Sequence, residues 1–409
     1  MAFLATTLPT AIPAVGALNA LAMTAGAAAY GCMAATIAIS TRHPLVERLF
    51  GPLDKAYGIH KKLGMASVGL IVAHVALTLA ARDMSPLAAV TAGGPVIPLA
   101  VMGALGLVLL LAAAGAALNA KLPYRLFQKV HGPAAGAAFT VLSIHSVVAV
   151  AAGPVKALAP TLWTLAFALV GMVCLAQRLL SRRPRRKHII TAVEPRERAI
   201  EIAWPDDRAA AHTPGQFAIV TLDVDGQRES HPFTLTNPAG SGHRSVLIRA
   251  SGDWTAAAQL GVRVGDAVSV EGPFGGFLPG SSGEPEVWIA GGAGVTPLLS
   301  ALRTAVANPS PGRAPARFVV AASSASDAPC WQEIRRMAAS LPWLTVQPAF
   351  SSDGGRLTDE AFAALADGAD ETYSWYACGP ASLIGDARTA HARAGGDAGR
   401  FHAESYSWR

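Results

Sequence analysis

The first 180 residues contain five apolar stretches, at roughly 14–40, 60–81, 95–118, 129–152 and 157–179. Each has about the 20 residues needed to cross a bilayer. No water is available there to satisfy the backbone, so this half of the chain can only fold as a helical bundle in lipid. The connections differ in charge. Residues 42–62 carry Arg42, Arg48, Lys55, Lys61 and Lys62, and residues 119–129 carry Lys121, Arg125 and Lys129. The other two, 82–94 and 153–156, hold only Arg82, Asp83 and Lys156. Basic connections stay in the cytoplasm, so the N-terminus is expected outside and everything after residue 180 inside. No charged residue precedes Arg42, and the start lacks a basic leader region, so a cleaved signal peptide is not expected.

Within the spans, histidine is nearly the sole ionisable residue type. His74 is alone from Leu63 to Ala81, and His145 is alone from Gly132 to Ala152. His60 and His131 sit at the cytoplasmic ends of the same two spans. His60 to His74 and His131 to His145 are both steps of 14 residues, close to four helical turns and about 21 Å of rise. The two histidines of each helix therefore face nearly the same way. Both spans run outward, so His60 lies level with His131 and His74 with His145. Polar side chains inside a membrane are costly and are usually functional. Two facing pairs at two depths form the geometry for two stacked bis-histidine haems, whose irons have no open axial position. The absence of a CxxCH sequence makes the haem non-covalent, of b type. Isolated hydrogen-bonded histidines and a proton relay are the competing readings, and neither requires a repeated period.

Composition changes after residue 180. The run Arg182, Arg183, Arg185, Arg186 and Lys187 supplies part of the net charge of +6. It directly follows an apolar segment, so it reads as a cytoplasmic anchor and not as a nucleic-acid site. Cys32, Cys174, Cys330 and Cys378 form no disulfide-like framework. Short strands predicted at His188–Ala192, Gln216–Leu222, His231–Thr236, Ser245–Arg249 and Ala267–Glu271 indicate an antiparallel barrel. Strands near 286–290, 317–322, 344–350, 373–377 and 400–403 alternate with helices near 296–307, 330–340, 358–366 and 381–394, which implies a parallel sheet. The expected domains are a membrane domain over 1–180, a basic linker at 181–187, a barrel at 188–280 and an α/β domain at 281–409.

Four motifs fall in order in this half. They are His231-Pro232-Phe233-Thr234, then Arg249 through Gly252-Asp253-Trp254-Thr255, then Gly291-Gly292-Ala293-Gly294-Val295-Thr296-Pro297, then Cys378-Gly379-Pro380. Glycines at a strand-to-helix turn let the backbone approach a pyrophosphate. Alone, each motif has an ordinary structural explanation; the ordered set is far more specific than any member.

Together with the four histidines, the stretch Arg42-His43-Pro44-Leu45 through Tyr57-Gly58-Ile59-His60, the Gly272-Pro273-Phe274-Gly275 turn and the ending Glu404-Ser405-Tyr406-Ser407-Trp408, the chain resembles the prokaryotic NADPH oxidases of the ferric reductase and NADPH oxidase superfamily. The resemblance implies a transmembrane haem bundle fused to a ferredoxin-NADP reductase-like module. His60 and His131 would hold the inner haem, and His74 and His145 the outer. His231, Pro232, Phe233 and Thr234 would line FAD, with Thr234 near the reactive ring nitrogen. Arg249, Gly252, Trp254 and Thr255 would surround its diphosphate, with Gly272, Pro273 and Gly275 nearby. Gly291, Gly292, Gly294, Thr296 and Pro297 would hold the NADPH or NADH pyrophosphate. Cys378, Gly379 and Pro380 would lie by the nicotinamide. Glu404 and an aromatic, Tyr406 in preference to Trp408, would close over the flavin.

The implied activity moves electrons from cytoplasmic NAD(P)H across a bacterial inner membrane to oxygen. A ferric chelate, or a partner protein or quinone, is the alternative acceptor. Two departures stand out. Relatives commonly have six spans where five are visible here. Relatives that prefer NADPH often have an arginine where this chain has Ala325 within Ser323–Asp327, so discrimination between the two nucleotides is expected to be weak.

Overall fold

The computed structural model describes residues 16–82, 96–152, 158–180, 186–206, 212–310, 312–353, 357, 362, 365 and 372–404. The chain divides into two compact units, Met1–Arg182 and Arg183–Trp408.

The first unit is helical: α1 (Ala17–Ser40), α2 (Pro44–Phe50), α3 (Leu53–Arg82), α4 (Val96–Leu118), α5 (Tyr124–Ala152) and α6 (Leu158–Leu180). All but the short α2 are long and apolar enough to cross a membrane, which gives five spans among the described residues. α3 and α5 begin earlier than the hydropathy alone indicates, at Leu53 and Tyr124. Lys, Arg and Leu are good helix formers, so the helices continue through the basic flanks. α1 packs along α3, α4 packs along α5, and α6 lies against α1 and α5. Gly31 faces the ring of Phe167, and Gly171 faces Phe139 so closely that an added Cβ would collide with it. Between the two histidine levels, Tyr30, Ile71, Leu110, Phe139 and Leu142 form one apolar cluster. Tyr30 stacks on Phe139 with ring centres 5.4 Å apart, and its hydroxyl donates to Ser143 Oγ at 2.7 Å.

The second unit opens with strands β1 (Arg186–Ile189), β2 (Ala192–Arg196), β3 (Ala199–Pro205), β4 (Phe217–Val224), β5 (Gln227–Thr234) and β6 (His243–Arg249). Helix α7 (Asp253–Gly261) and β7 (Ala267–Phe274) follow. Two antiparallel sheets, ordered β1-β7-β4-β5 and β2-β3-β6, close around a core that includes Ile202, Trp204, Val220, Val246 and Val268. The hairpin β2–β3 has no counterpart among the strands expected from sequence.

The rest of this unit is α/β: β8 (Glu286–Gly291), α8 (Val295–Ala307), β9 (Ala316–Ala322), α9 (Trp331–Ala338), β10 (Leu344–Phe350), β11 (Ser374–Cys378), α10 (Ala381–Arg393) and β12 (Phe401–Glu404). The sheet is fully parallel in the order β10-β9-β8-β11-β12. Alternate residues of β8 serve opposite faces: Trp288 and Ala290 join the core beneath α8 and α9, and Val287 and Ile289 the core beneath α10. The helix expected near 358–366 falls largely outside the described residues.

Candidate functional site

The histidines first. His60 and His131 face one another with ring centres 6.2 Å apart. Two imidazoles bound on opposite sides of one metal, with bonds of ~2 Å to the ring nitrogens, have centres ~6 Å apart. His74 and His145 lie within electrostatic reach of each other at the other level. Each ring is held from behind through Nδ1. His60 Nδ1 lies 3.1 Å from the Thr36 carbonyl, His74 Nδ1 2.7 Å from that of Ala22, His131 Nδ1 3.0 Å from that of Ala113, and His145 Nδ1 3.0 Å from that of Leu99. A carbonyl can only accept, so Nδ1 carries the proton in all four rings, and the lone pair is on Nε2, where a metal would bind.

The acceptors repeat the period of the rings: Ala22 to Thr36 on α1 and Leu99 to Ala113 on α4 are each steps of 14 residues. One turn beyond Ala22 and one turn beyond Leu99 is a glycine. A Cβ on Gly26 would lie 2.8 Å from His74 Nδ1, and one on Gly103 would lie 3.3 Å from His145 Cε1. The pair His60 and His131 has additional neighbours. Phe127 stacks on His131 at 5.1 Å, Tyr57 meets His60 edge-on, and Arg42 Nε donates to the Tyr57 hydroxyl at 2.9 Å. Among the described residues no cluster of three or more His, Cys, Asp or Glu forms a cage for an ion; these pairs can instead supply opposed axial ligands to a planar metal group.

In the second unit, folding brings the sequence motifs together. Antiparallel pairing places Phe217 of β4 between Thr234 of β5 and Phe274 of β7, so HPFT and GPFG end at one edge of the barrel. Gly275 has φ +102°, and a Cβ there would meet the Phe217 ring at 2.9 Å, so only glycine fits. His231 stacks on Trp254 with centres 4.5 Å apart, which joins HPFT to GDWT. Burial pushes the His231 imidazole below its usual range, and a 2.9 Å hydrogen bond from its Nε2 to Glu229 opposes this only in part. Thr255 Oγ1 accepts the N–H groups of Ser251 and Gly252 at 2.9 and 3.0 Å, shaping the turn into α7.

β8 and β11 lie side by side in the parallel sheet, and the chain leaves β8 for one side and β11 for the other. The crevice beyond their carboxyl ends is the usual ligand site of such a sheet. Gly291, Gly292 and Gly294 follow β8, and Cys378, Gly379 and Pro380 end β11. A Cβ on Gly294 would lie 2.1 Å from the Cys378 carbonyl oxygen, so the two motifs meet backbone to backbone. The Cys378 side chain is fully buried. Arg249, at the end of β6, brings its guanidinium against Gly292, so the barrel and the glycine turn share one cation. Thr296 Oγ1 donates to the Ala293 carbonyl at 2.9 Å, bracing that turn. Glu404 is buried in register with Cys378. Tyr406 and Trp408 lie outside the described residues.

At Ser323–Asp327, Ala325 begins a 3₁₀ turn. Asp327 pairs at 2.6 Å with Arg198 from the β2–β3 hairpin. Sequence reasoning missed this arginine because it is remote in the chain. Of the arginines on α9, Arg335 lies over the Trp331 ring, and Arg336 Nε donates to the Gln332 carbonyl.

Residues 25–143 match the family described as ferric reductase like transmembrane component, and residues 288–389 match the oxidoreductase NAD-binding domain. The chain is 36% identical over 133 residues to NADPH oxidase 3 of Rattus norvegicus, covering 30% of this chain and 23% of that protein. It is 33% identical over 145 residues to the reductase component of propane 2-monooxygenase of Mycolicibacterium goodii, covering 34% of this chain and 40% of that protein. The chain thus spans less than half the length of either relative. Flavohemoglobin from Malassezia yamatoensis, solved with bound FAD and heme, aligns over 98% of this chain and 99% of that one at a TM-score of 0.52 and 17% identity. That is a likeness of fold alone.

Proposed function

We propose that this chain, a membrane oxidoreductase of the ferric reductase and NADPH oxidase superfamily, takes electrons from cytoplasmic NAD(P)H and delivers them outside the membrane, with oxygen as acceptor and superoxide as product. The observation that carries this reading is the pair of opposed imidazole levels joined in one chain to a ferredoxin-NADP reductase-like module.

When bound, FAD accepts a hydride from NAD(P)H and gives up electrons singly, and two b-type haems pass single electrons onward. The chain's own residues bind, orient and shield. Gly291 to Pro297 hold the nucleotide pyrophosphate at the start of α8, where backbone N–H groups and the helix dipole favour an anion. Arg249 adds a charge for a diphosphate, and the N-terminal turn of α7, shaped by Gly252 and Thr255, offers further N–H groups. His231, kept neutral by burial, and Phe233 with Thr234 line the flavin. Cys378 and Pro380 would border the nicotinamide, and Glu404, in register with Cys378, would stand beside it. His60 with His131, and His74 with His145, would hold the haems through Nε2, because each ring directs its Nδ1–H to a helix carbonyl.

The favoured topology has the N-terminus outside and the flavin and nucleotide domains in the cytoplasm of a bacterial cell. A ferric-chelate reductase would use the same residues. The short outer connections, with few charges, favour oxygen over a charged chelate. The deciding experiment supplies NADH or NADPH to purified, FAD- and haem-loaded protein and follows superoxide and ferrous iron separately. Superoxide formation without added iron is the expected result. Ferrous iron formed with no superoxide would replace oxygen with iron, and a preparation that takes up no b-type haem would overturn the electron path itself.

A further inference from the structure

Arg303 lies two turns into α8, eight residues after Val295 and so about 12 Å along the helix that begins at the glycine turn. A guanidinium has five N–H groups, and all five find acceptors here. Nε donates to Glu333 Oε1 at 2.7 Å. Nη2 donates to Glu333 Oε2 and to Glu201 Oε2, both at 2.9 Å. Nη1 donates to Glu201 Oε1 at 2.5 Å and to the Thr236 carbonyl at 3.1 Å.

The two carboxylates belong to different bodies. Glu333 is on α9, in the same α/β layer as Arg303. Glu201 is on β3 of the barrel, where it also accepts hydrogen bonds from Thr236 Oγ1 at 2.7 Å, Ser245 Oγ at 3.0 Å and Arg196 Nη2 at 2.9 Å. Thr236 stands two residues after Thr234. One largely buried guanidinium therefore ties the helix of the nucleotide turn to β3 and to the segment that follows the flavin motif. Two weaker ties run parallel to it from the β2–β3 hairpin: Glu197 Oε2 accepts the Cys330 N–H at 2.8 Å, and Arg198 pairs with Asp327.

We propose that Arg303 is a positioning residue for hydride transfer, its link to Glu201 setting how closely the nicotinamide approaches the flavin. The inference rests on the reading that NAD(P)H reduces a bound FAD. Hydride transfer requires reacting atoms about 3–3.5 Å apart, and a displacement near 1 Å costs on the order of a hundredfold in rate. A fixed joint between the two bodies controls that distance without touching either cofactor. A residue that merely stabilises α8 would serve through Glu333 as well as through Glu201, and this difference makes the two roles separable.

The test uses the full-length, FAD-loaded protein, mixed anaerobically with NADH while flavin absorbance is followed. Glu201→Gln and Arg303→Lys are expected to lower the limiting rate of flavin reduction about tenfold or more, with the NADH dissociation constant within about threefold of wild type. A primary isotope effect with 4-deuterated NADH should persist, placing the loss on the hydride step. Glu333→Gln is expected to keep the wild-type rate within about threefold even where its melting temperature falls as far as that of Glu201→Gln. Equal slowing in the two carboxylate variants, or rates that follow melting temperature across the set, would make the role structural and overturn the proposal. So would unchanged rates in variants that retain FAD. A wild-type protein whose flavin NADH does not reduce would instead remove the activity on which the inference rests.

Discussion

Gly26→Ala is the sharpest probe of the histidine levels. A Cβ at this position would lie 2.8 Å from His74 Nδ1, whereas ordinary contacts begin near 3.4 Å, so the ring must retreat by ~0.6 Å. The acceptor of that Nδ1–H, the Ala22 carbonyl, is on the same helix as Gly26 and only 2.7 Å away. A retreat of that size stretches the bond past the ~3.2 Å limit of a good N–H···O contact. An unsatisfied buried donor costs about 1–3 kcal/mol, which corresponds to roughly 5- to 150-fold in affinity for whatever the ring ligates. Haem content per FAD, measured by the absorbance of the reduced pyridine complex, is expected to fall from two toward one in Gly26→Ala. Gly103→Ala, whose Cβ would sit at 3.3 Å from His145, should lose less, and Gly69→Ala, with nothing within 4 Å, should lose none. A Gly26→Ala protein with its full haem complement and unshifted midpoint potentials would refute both the contact argument and the assignment of His74.

Other outcomes follow from the same structure. His74→Leu or His145→Leu should remove one haem and leave anaerobic flavin reduction by NADH intact; full haem retention in both would end the axial-ligand assignment. NADH and NADPH should differ by less than about tenfold in kcat/KM, about 1.4 kcal/mol, because Arg198, the cation at the Ala325 turn, is already paired with Asp327. Ala325→Arg should then shift preference toward NADPH by on the order of 1.5–3 kcal/mol per new hydrogen bond, and steady-state kinetics with both nucleotides checks it. Burial opposes ionisation of Glu201, but Arg303 outweighs it and holds the carboxyl down at about 2. A depressed acid stabilises the fold above its ordinary pKa and loses that contribution as pH falls from about 4.5 toward 2, here worth about 3 kcal/mol. Thermal unfolding followed by flavin fluorescence should therefore show a weaker acid dependence in Glu201→Gln than in wild type, and identical profiles would contradict the network. A reporter fused to the N-terminus should be active only outside the membrane, and activity confined to the cytoplasm would require a sixth segment.

The histidine ladder was legible because an ionisable residue in an apolar helix has few reasons to be there, and because 14 residues nearly complete a whole number of turns. Its supports were not. Thr36, Ala22, Ala113 and Leu99 contribute backbone carbonyls, which every residue type possesses, and Gly26 and Gly103 are two glycines among many in the spans. The motifs of the second unit could be read in order, but their convergence could not: His231 on Trp254, and Gly294 under the Cys378 carbonyl, depend on tertiary closure. The β2–β3 hairpin escaped notice because Glu201 is buried within a strand, breaking the alternation that signals one. Its carboxylate is tolerable there because Arg196 of the same hairpin and Arg303, remote in sequence, both pair with it, and the Arg303 contact leaves no local signature.

The four Nδ1 bonds also bear on how readily charge can move through the membrane half. A ring anchored through one nitrogen to a helix backbone has less freedom to swing than one held by its side-chain torsions alone. If the other nitrogens held a redox group, as proposed, this anchoring would limit ligand reorientation on each change of charge and so lower the reorganisation accompanying electron transfer.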